Sequence, residues 1–258
     1  MPTTTITILG TGTSQGVPVI GCDCTTCLSD DLRDKRLRSS VLISTDKAQV
    51  VIDVGPDFRQ QMLTSRSERL DAVLLTHEHN DHVIGIDDIR PFNFKHAMDM
   101  PLYGLPRVVS DIRNKFGYIF ESDPYPGAPK VICHEILPGQ ELEVAKGLIV
   151  QTLHVMHGNL PVLGFRIGNF GYITDASFIP KETMEALGGL DVLILNALRY
   201  RKHETHFTFD EAVAAANQIG AGVTYFTHMS HELGRYSDLL EKLPPHIQPA
   251  FDGQVIKL

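Results

Sequence analysis

The 258-residue chain is 43% apolar and 21% charged, an ordinary globular balance that excludes a disordered segment and leaves one large domain or two small ones. Its 23 basic and 31 acidic residues give a formal charge of −8, which argues against a broad basic surface for nucleic acid or anionic membrane. Twelve His and four Cys against no Trp form an imbalance that packing alone does not explain.

The chain opens with no Lys or Arg before Arg33, and its first apolar run, Ile6–Leu9, breaks at Gly10 and Gly12. No signal peptide is read from such a start, and no apolar run approaches the roughly 18 residues of a membrane span, so a cytoplasmic protein is expected. Short apolar, β-branched runs then recur: Val41–Ser44, Val50–Val54, Ala72–Thr76, Val131–Ile136, Leu148–Leu153, Tyr172–Thr174, Val192–Leu195, Val223–Phe226 and Val255–Leu258. With Ile6–Leu9 they are predicted strands, bounded mostly by Gly, Asp or Asn. Helices are predicted over Asp57–Ser65, Pro106–Phe116, Pro180–Leu187 and Thr208–Ile219, the last opening with a capping box between Thr208 and Glu211. The proline-rich Ser122–Lys130 reads as a surface excursion, and no repeat or linker divides the chain. The expected architecture is therefore α/β, two packed sheets covered by helices in one domain spanning residues 1–258.

The densest chemical signal is His77-Glu78-His79-Asn80-Asp81-His82, directly after the predicted strand Ala72–Thr76. Three imidazoles and a carboxylate on a short, bendable loop suit a divalent transition metal, and an ordinary solvated loop rarely carries three His in this space. Asp175 ends the strand Tyr172–Thr174, where its carboxylate can project beyond the sheet as a ligand or serve only as a support. Asp53, at another strand end, fits hydrogen bonding to a ligating His better than direct binding. His154 and His157 compete for one ligand position after Leu148–Leu153.

A second constellation is Gly21-Cys22-Asp23-Cys24-Thr25-Thr26-Cys27. Three thiolates at this spacing wrap one tetrahedral zinc when a fourth ligand arrives from elsewhere, and in a reducing compartment that outweighs a disulfide framework. His231 is the candidate, since in Thr227-His228-Met229-Ser230-His231 a single turn can send the two His to different sites. The glycines of Gly10–Gly16 match neither the dinucleotide nor the Walker pattern and read as a tight turn bordering the cleft. In His203-Glu204-Thr205-His206, before the capped helix, a His could protonate a leaving oxygen or contact a phosphate. Cys133 reads as an ordinary buried thiol, Arg90 as a salt-bridged helix-end residue, and His96, His134 and His246 as structural or exposed.

The His-x-His-x-Asp-His hexapeptide, with Asp53-Val54-Gly55, His157, Thr174-Asp175 and Thr227-His228 in the same order, resembles the metallo-β-lactamase superfamily over nearly the whole chain. The resemblance implies an αββα sandwich with the site at the edge where the sheets meet. It assigns His77, His79 and His157 to one metal and Asp81, His82 and His228 to the other, with Asp175 bridging. It also favours His157 over His154, because the family ligand falls just past the strand and shortly before a Gly-aromatic pair, here Gly164-Phe165. The cysteine loop, the opening from Gly10 to Pro18 and the Thr-His-x-Ser-His ending look like the phosphoribosyl cyclic phosphate phosphodiesterase group, whose members carry an accessory structural zinc.

The expected function is therefore dinuclear hydrolysis of a small cyclic phosphate diester by a metal-bridging hydroxide. Asp81 and Asp175 would orient it, and His206, a substrate contact in related phosphodiesterases, would protonate the leaving oxygen. Two divalent ions, zinc or manganese, are expected at the catalytic site, with one structural zinc on Cys22, Cys24, Cys27 and His231. The partner is a small phosphate ester rather than a membrane or a nucleic acid, and a homodimer is compatible with the sequence. The alternatives are a nuclease trimming transfer-RNA 3′ ends or another hydrolase of this fold, a metal-binding protein of the pyrroloquinoline quinone subgroup, and an iron redox protein. For the nuclease the missing basic arm is adverse.

Overall fold

The computed structural model describes residues 4–258. Fourteen strands occur among them: β1 (Thr5–Gly10), β2 (Ser40–Ser44), β3 (Gln49–Ile52), β4 (Ala72–Leu74), β5 (Met100–Gly104), β6 (Val131–Glu135), β7 (Glu141–Ala145), β8 (Leu148–His157), β9 (Leu160–Ile167), β10 (Phe170–Ile173), β11 (Val192–Asn196), β12 (Val223–Thr227), β13 (Ile247–Pro249) and β14 (Val255–Lys257). They form two seven-stranded sheets, ordered β14-β1-β2-β3-β4-β5-β6 and β13-β12-β11-β10-β9-β8-β7. Each sheet is mixed in the same way. Four strands pair antiparallel, β14 through β3 in one and β7 through β10 in the other, and the remaining three continue in parallel.

The predicted helices appear as α1 (Phe58–Ser65), α4 (Pro106–Lys115), α5 (Lys181–Ala186) and α6 (Phe209–Ile219), joined by α2 (Asn80–Val83), α3 (Arg90–His96) and α7 (Tyr236–Lys242). Both halves of the expected capping box form, Thr208 accepting from the Glu211 backbone N–H and Glu211 from that of Thr208. Such a cap stabilises a helix by about 1 kcal/mol.

Helices cover the outer faces because the central strands are apolar on both sides. On β10, Tyr172 packs into the core between the sheets with Phe165 and Ile194, while Ile173 faces a second core with Leu193, Leu195, Ala212 and Phe226 beneath the helices. The parallel strands β3, β4, β10 and β12 deliver Asp53, His77, Asp175 and His228 just past their carboxyl ends, the edge where open α/β sheets bind ligands. The backbone N–H of Leu163 donates to the Thr76 carbonyl at 3.0 Å and ties the two sheets together at that edge.

One reading changes and another holds. Cys133 is half-buried on the edge strand β6 rather than fully enclosed, although burial still raises its thiol pKa. Arg90 is the salt-bridged helix-end residue expected, pairing with Asp87 at 3.7 Å from the first position of α3.

Candidate metal centre

The hexapeptide lies against the segment that follows β3 through backbone contact. The Val54 N–H donates to the His82 carbonyl at 2.8 Å, and a Cβ at Gly55 would stand 2.1 Å from the Asp81 carbonyl oxygen, so only glycine admits the motif here. Three site residues adopt the left-handed region without being glycine: Asp53 at φ +63°, Asp175 at +57° and His228 at +53°. Each such residue costs on the order of 1 kcal/mol, and that strain persists where surrounding structure fixes a functional geometry.

His77, His79 and His157 bring ligand atoms within 4.8 Å of one another, and so do Asp81, His82 and His228. Asp175 joins the two sets, grouping with His77 and His82 on one side and with His157 and His206 on the other. Its Oδ2 lies 3.2 Å from His228 Nδ1 and 3.4 Å from His82 Nε2, while Oδ1 lies 3.0 Å from His206 Nε2. His157 is buried at the end of β8, whereas His154 lies beside Pro138 and Glu182 in a separate surface cleft and takes no part in the cluster.

Supporting contacts set the imidazoles. His82 Nδ1 donates to Asp53 Oδ2 at 2.7 Å, and the same carboxylate accepts the Thr76 N–H and hydroxyl. His157 Nδ1 donates to the carbonyls of Asp175 and Thr205, both at 2.8 Å, which leaves its Nε2 free. His228 touches Ser39 through Nδ1 and Thr13 through Nε2, at 3.3 and 3.2 Å. Thr13 belongs to the Gly10–Gly16 turn, which therefore does border the cluster.

This donor set fits cations. Burial pushes His228 down to about 3 and His77 well below its ordinary value, so both are neutral donors at physiological pH. Burial alone would depress His82 too, but the carboxylates of Asp175, Asp53 and Asp81 outweigh it and hold His82 well above its usual value. Despite burial, His82 holds Asp81 low, and His228 with His82 does the same for Asp175. His82 Nε2 is buried and has no hydrogen-bond partner, although two carboxylates face it. Anions gathered around an imidazole nitrogen without a hydrogen bond form a centre short of positive charge, as a cation site would be.

The second constellation also assembles. His231 Nδ1 stands 3.2, 3.3 and 3.6 Å from the sulfurs of Cys22, Cys24 and Cys27, a four-donor set of tetrahedral-zinc type. Burial raises Cys27 to about 11, whereas the Cys27 N–H and His231 outweigh burial at Cys24 and hold it at about 6, so one thiolate is already present at neutral pH. Fully buried Arg36 secures this region, donating to the carbonyls of Ser230 at 3.1 Å and Gly234 at 2.7 Å.

Several contacts were hidden from the sequence. Thr13 and Ser39 approach His228 from segments about two hundred residues away, and the placement of His203 against His206 depends on the turn before α6. Only the capped helix start and the four-residue His pair signalled the latter.

The profile of the beta-lactamase superfamily domain matches residues 48–229. A protein of Porphyromonas gingivalis named octanoyltransferase is 44% identical over 248 residues, 95% of this chain and 50% of that protein, so the chain spans about half of that relative's length. The crystal structure of a new diphosphatase from the PhnP family is 40% identical with a TM-score of 0.93, covering 100% of this chain and 98% of that one. Zinc-bound PqqB from Methylobacterium extorquens has a TM-score of 0.81 at 20% identity, over 98% of this chain and 100% of that one, a likeness of fold.

Proposed function

The chain belongs to the beta-lactamase superfamily of metal-dependent hydrolases and, within it, to the PhnP family, and from that premise we propose that it hydrolyses a small cyclic phosphate diester. The observation that carries this reading is Asp175, one carboxylate shared by two adjoining donor sets. Paired charge centres of this kind suit displacement at phosphorus, where both the entering and the departing oxygen need stabilisation.

His77, His79 and His157 would hold one divalent cation and Asp81, His82 and His228 the other, with Asp175 between them. When bound, such cations supply Lewis acidity toward phosphoryl oxygens and acidify water that reaches them. Zinc or manganese suits these donors, and zinc suits the cysteine cluster. The chain's own work is orientation and proton handling. Asp53 accepts the Nδ1–H of His82, and the carbonyls of Asp175 and Thr205 accept that of His157, so each ring turns its Nε2 toward the centre, where a bound cation would take the place of a proton. Asp81 and Asp175 orient the attacking water. His206 carries its proton on Nε2, 3.0 Å from Asp175 Oδ1, with Nδ1 held 2.9 Å from the Thr205 hydroxyl, and delivers that proton to the leaving oxygen.

The relative's diphosphatase name favours a second reading, cleavage of a phosphoanhydride by the same residues. Rates of the metal-loaded protein on a ribose 1,2-cyclic phosphate, a nucleoside diphosphate, an aryl phosphodiester and a transfer-RNA precursor test both. The highest kcat/KM is expected on the cyclic phosphate. Turnover of the RNA alone, or of no ester, overturns the proposal.

A further inference from the structure

The donors of the first cation come from both sheets: His77 and His79 follow β4, whereas His157 ends β8. Four of the candidate imidazoles have a supporting contact on the ring. His77 Nδ1 lies 3.0 Å from the Thr76 hydroxyl, His82 donates to Asp53, His157 to two carbonyls, and His228 touches Thr13 and Ser39. His79 differs. It is exposed, and among the described residues its ring has a hydrogen-bonding contact only with His77, whose Nε2 is 3.0 Å from His79 Nδ1. The aim of this ring is therefore set by the backbone that carries it.

That backbone is gripped at Glu78. Arg107, the second residue of α4, donates through Nη1 to both Glu78 carboxylate oxygens and through Nη2 to the Pro161 carbonyl on β9. Lys115, at the other end of α4 and about 12 Å along its axis, donates to the Glu78 carbonyl at 2.6 Å and pairs with Asp111 at 2.7 Å. One residue between two candidate ligands is thus held by side chain and by main chain. Pro161 lies opposite Met156, the neighbour of His157, in the pairing of β8 with β9. The Arg107 fork therefore spans the loop that carries His79 and the hairpin that carries His157. Two residues further along β9, Leu163 donates to the Thr76 carbonyl, so ties between the sheets fall on both sides of His77. The Glu78 and Arg107 side chains are 22% and 31% exposed, too open for the pair to add much stability. A planar guanidinium with fixed donors does set geometry, which a flexible ammonium in its place would not.

We propose that Arg107, through Glu78 and Pro161, is the positioning residue of the first cation site: it holds His79 and His157 at the separation that one ion requires, and leaves the second site to Asp53. The inference rests on the dinuclear reading of the centre and adds to it the residue outside the donor set that governs one ion and not the other. Outer contacts of this kind are worth about 10–100-fold in metal affinity.

Manganese titrated into the full chain, with the free ion read by electron paramagnetic resonance, counts the histidine centre alone, since thiolates select softer metals. Wild type is expected to bind in two steps. Arg107→Met should weaken one step about 10–100-fold and leave the other within about twofold. Glu78→Gln should weaken the same step, and the double variant should be no worse than Arg107→Met, because the pair acts as a unit. Arg107→Lys should fall between, keeping the charge but not the fork. Adding Asp53→Asn should weaken the step that Arg107→Met spares. The metal-free chain should melt within about 4 °C of wild type in both Arg107 variants, as fits an open ion pair. Unchanged binding in Arg107→Met overturns the proposal. So does equal weakening of both steps, the mark of a general loosening, or weakening confined to the step that Asp53 governs. If wild type binds a single manganese ion, the dinuclear reading falls, while the dependence of that step on Arg107 still decides the clamp.

Discussion

His82 donates through Nδ1 to the fully buried Asp53 carboxylate across 2.7 Å, and that carboxylate also receives both donors of Thr76. Asp53 is thus saturated by three donors from the motif loop and its preceding strand end, and it sets His82 without being grouped with the candidate ligands. In Asp53→Asn the amide keeps the left-handed backbone but turns an NH2 toward one of those donors. Affinity for the second cation should fall about 10–100-fold, read by titration against a chromophoric chelator. Unchanged affinity would show that Asp53 serves folding alone.

The cysteine cluster predicts a count. Elemental analysis of the zinc-loaded protein should give three metals per chain, and Cys24→Ser should leave two. The variant should also melt several degrees lower, since the cluster joins the Cys22–Cys27 loop to the turn after β12 and each 1 kcal/mol lost shifts a domain of this size by roughly 2–4 °C. Two metals in the parent protein would remove the accessory zinc.

His206 separates two roles. As the proton donor it should lower kcat about 10²–10⁴-fold when changed to Asn, with metal content intact. Its closeness to Asp175 and His157 also lets it act as a ligand. Loss of a metal from His206→Asn would establish that role and overturn the general-acid assignment.

Much of this was legible because function and fold used different signals. Ten strands announced themselves as apolar, β-branched runs, most plainly β4, β10 and β11, which are covered on both faces and cannot alternate. The four unread strands lack such a run for identifiable reasons. Pro101 lies in β5, Pro161 and Gly164 interrupt β9, β13 is three residues ending in Pro249, and β7 carries Glu141 and Glu143 at a sheet edge. Likewise α3 is rich in aromatic and polar residues that favour helix only weakly. In the site, the candidate ligands packed into six residues and the His228–His231 spacing could be read directly, for His228 immediately follows β12 while His231 opens the next turn toward the sulfurs. The helpers Thr13 and Ser39 could not, because their roles exist only once distant strands are in register.

Asp252 lies outside the centre and supplies the pH prediction. It accepts from the Thr11 hydroxyl and from the Leu37 N–H, both at 2.7 Å, and so pins the glycine turn to the segment that leads into β2. Burial raises its pKa from 3.8 to about 7 even though both hydrogen bonds and Arg36 oppose the rise. The folded state therefore binds a proton that the unfolded chain has already released between roughly pH 4 and 7, and stability falls as pH rises through that window. Below it both states are protonated, and above it the penalty is complete and constant. Asp252→Asn keeps a carbonyl acceptor and removes the titration, so the difference in melting temperature between wild type and variant should move toward the variant from pH 4 to 7 and then level off. Taking that difference cancels the histidines, which titrate in both proteins. A difference that is flat over this range, or that grows only above pH 7, would show that Asp252 is ionised in the folded state throughout.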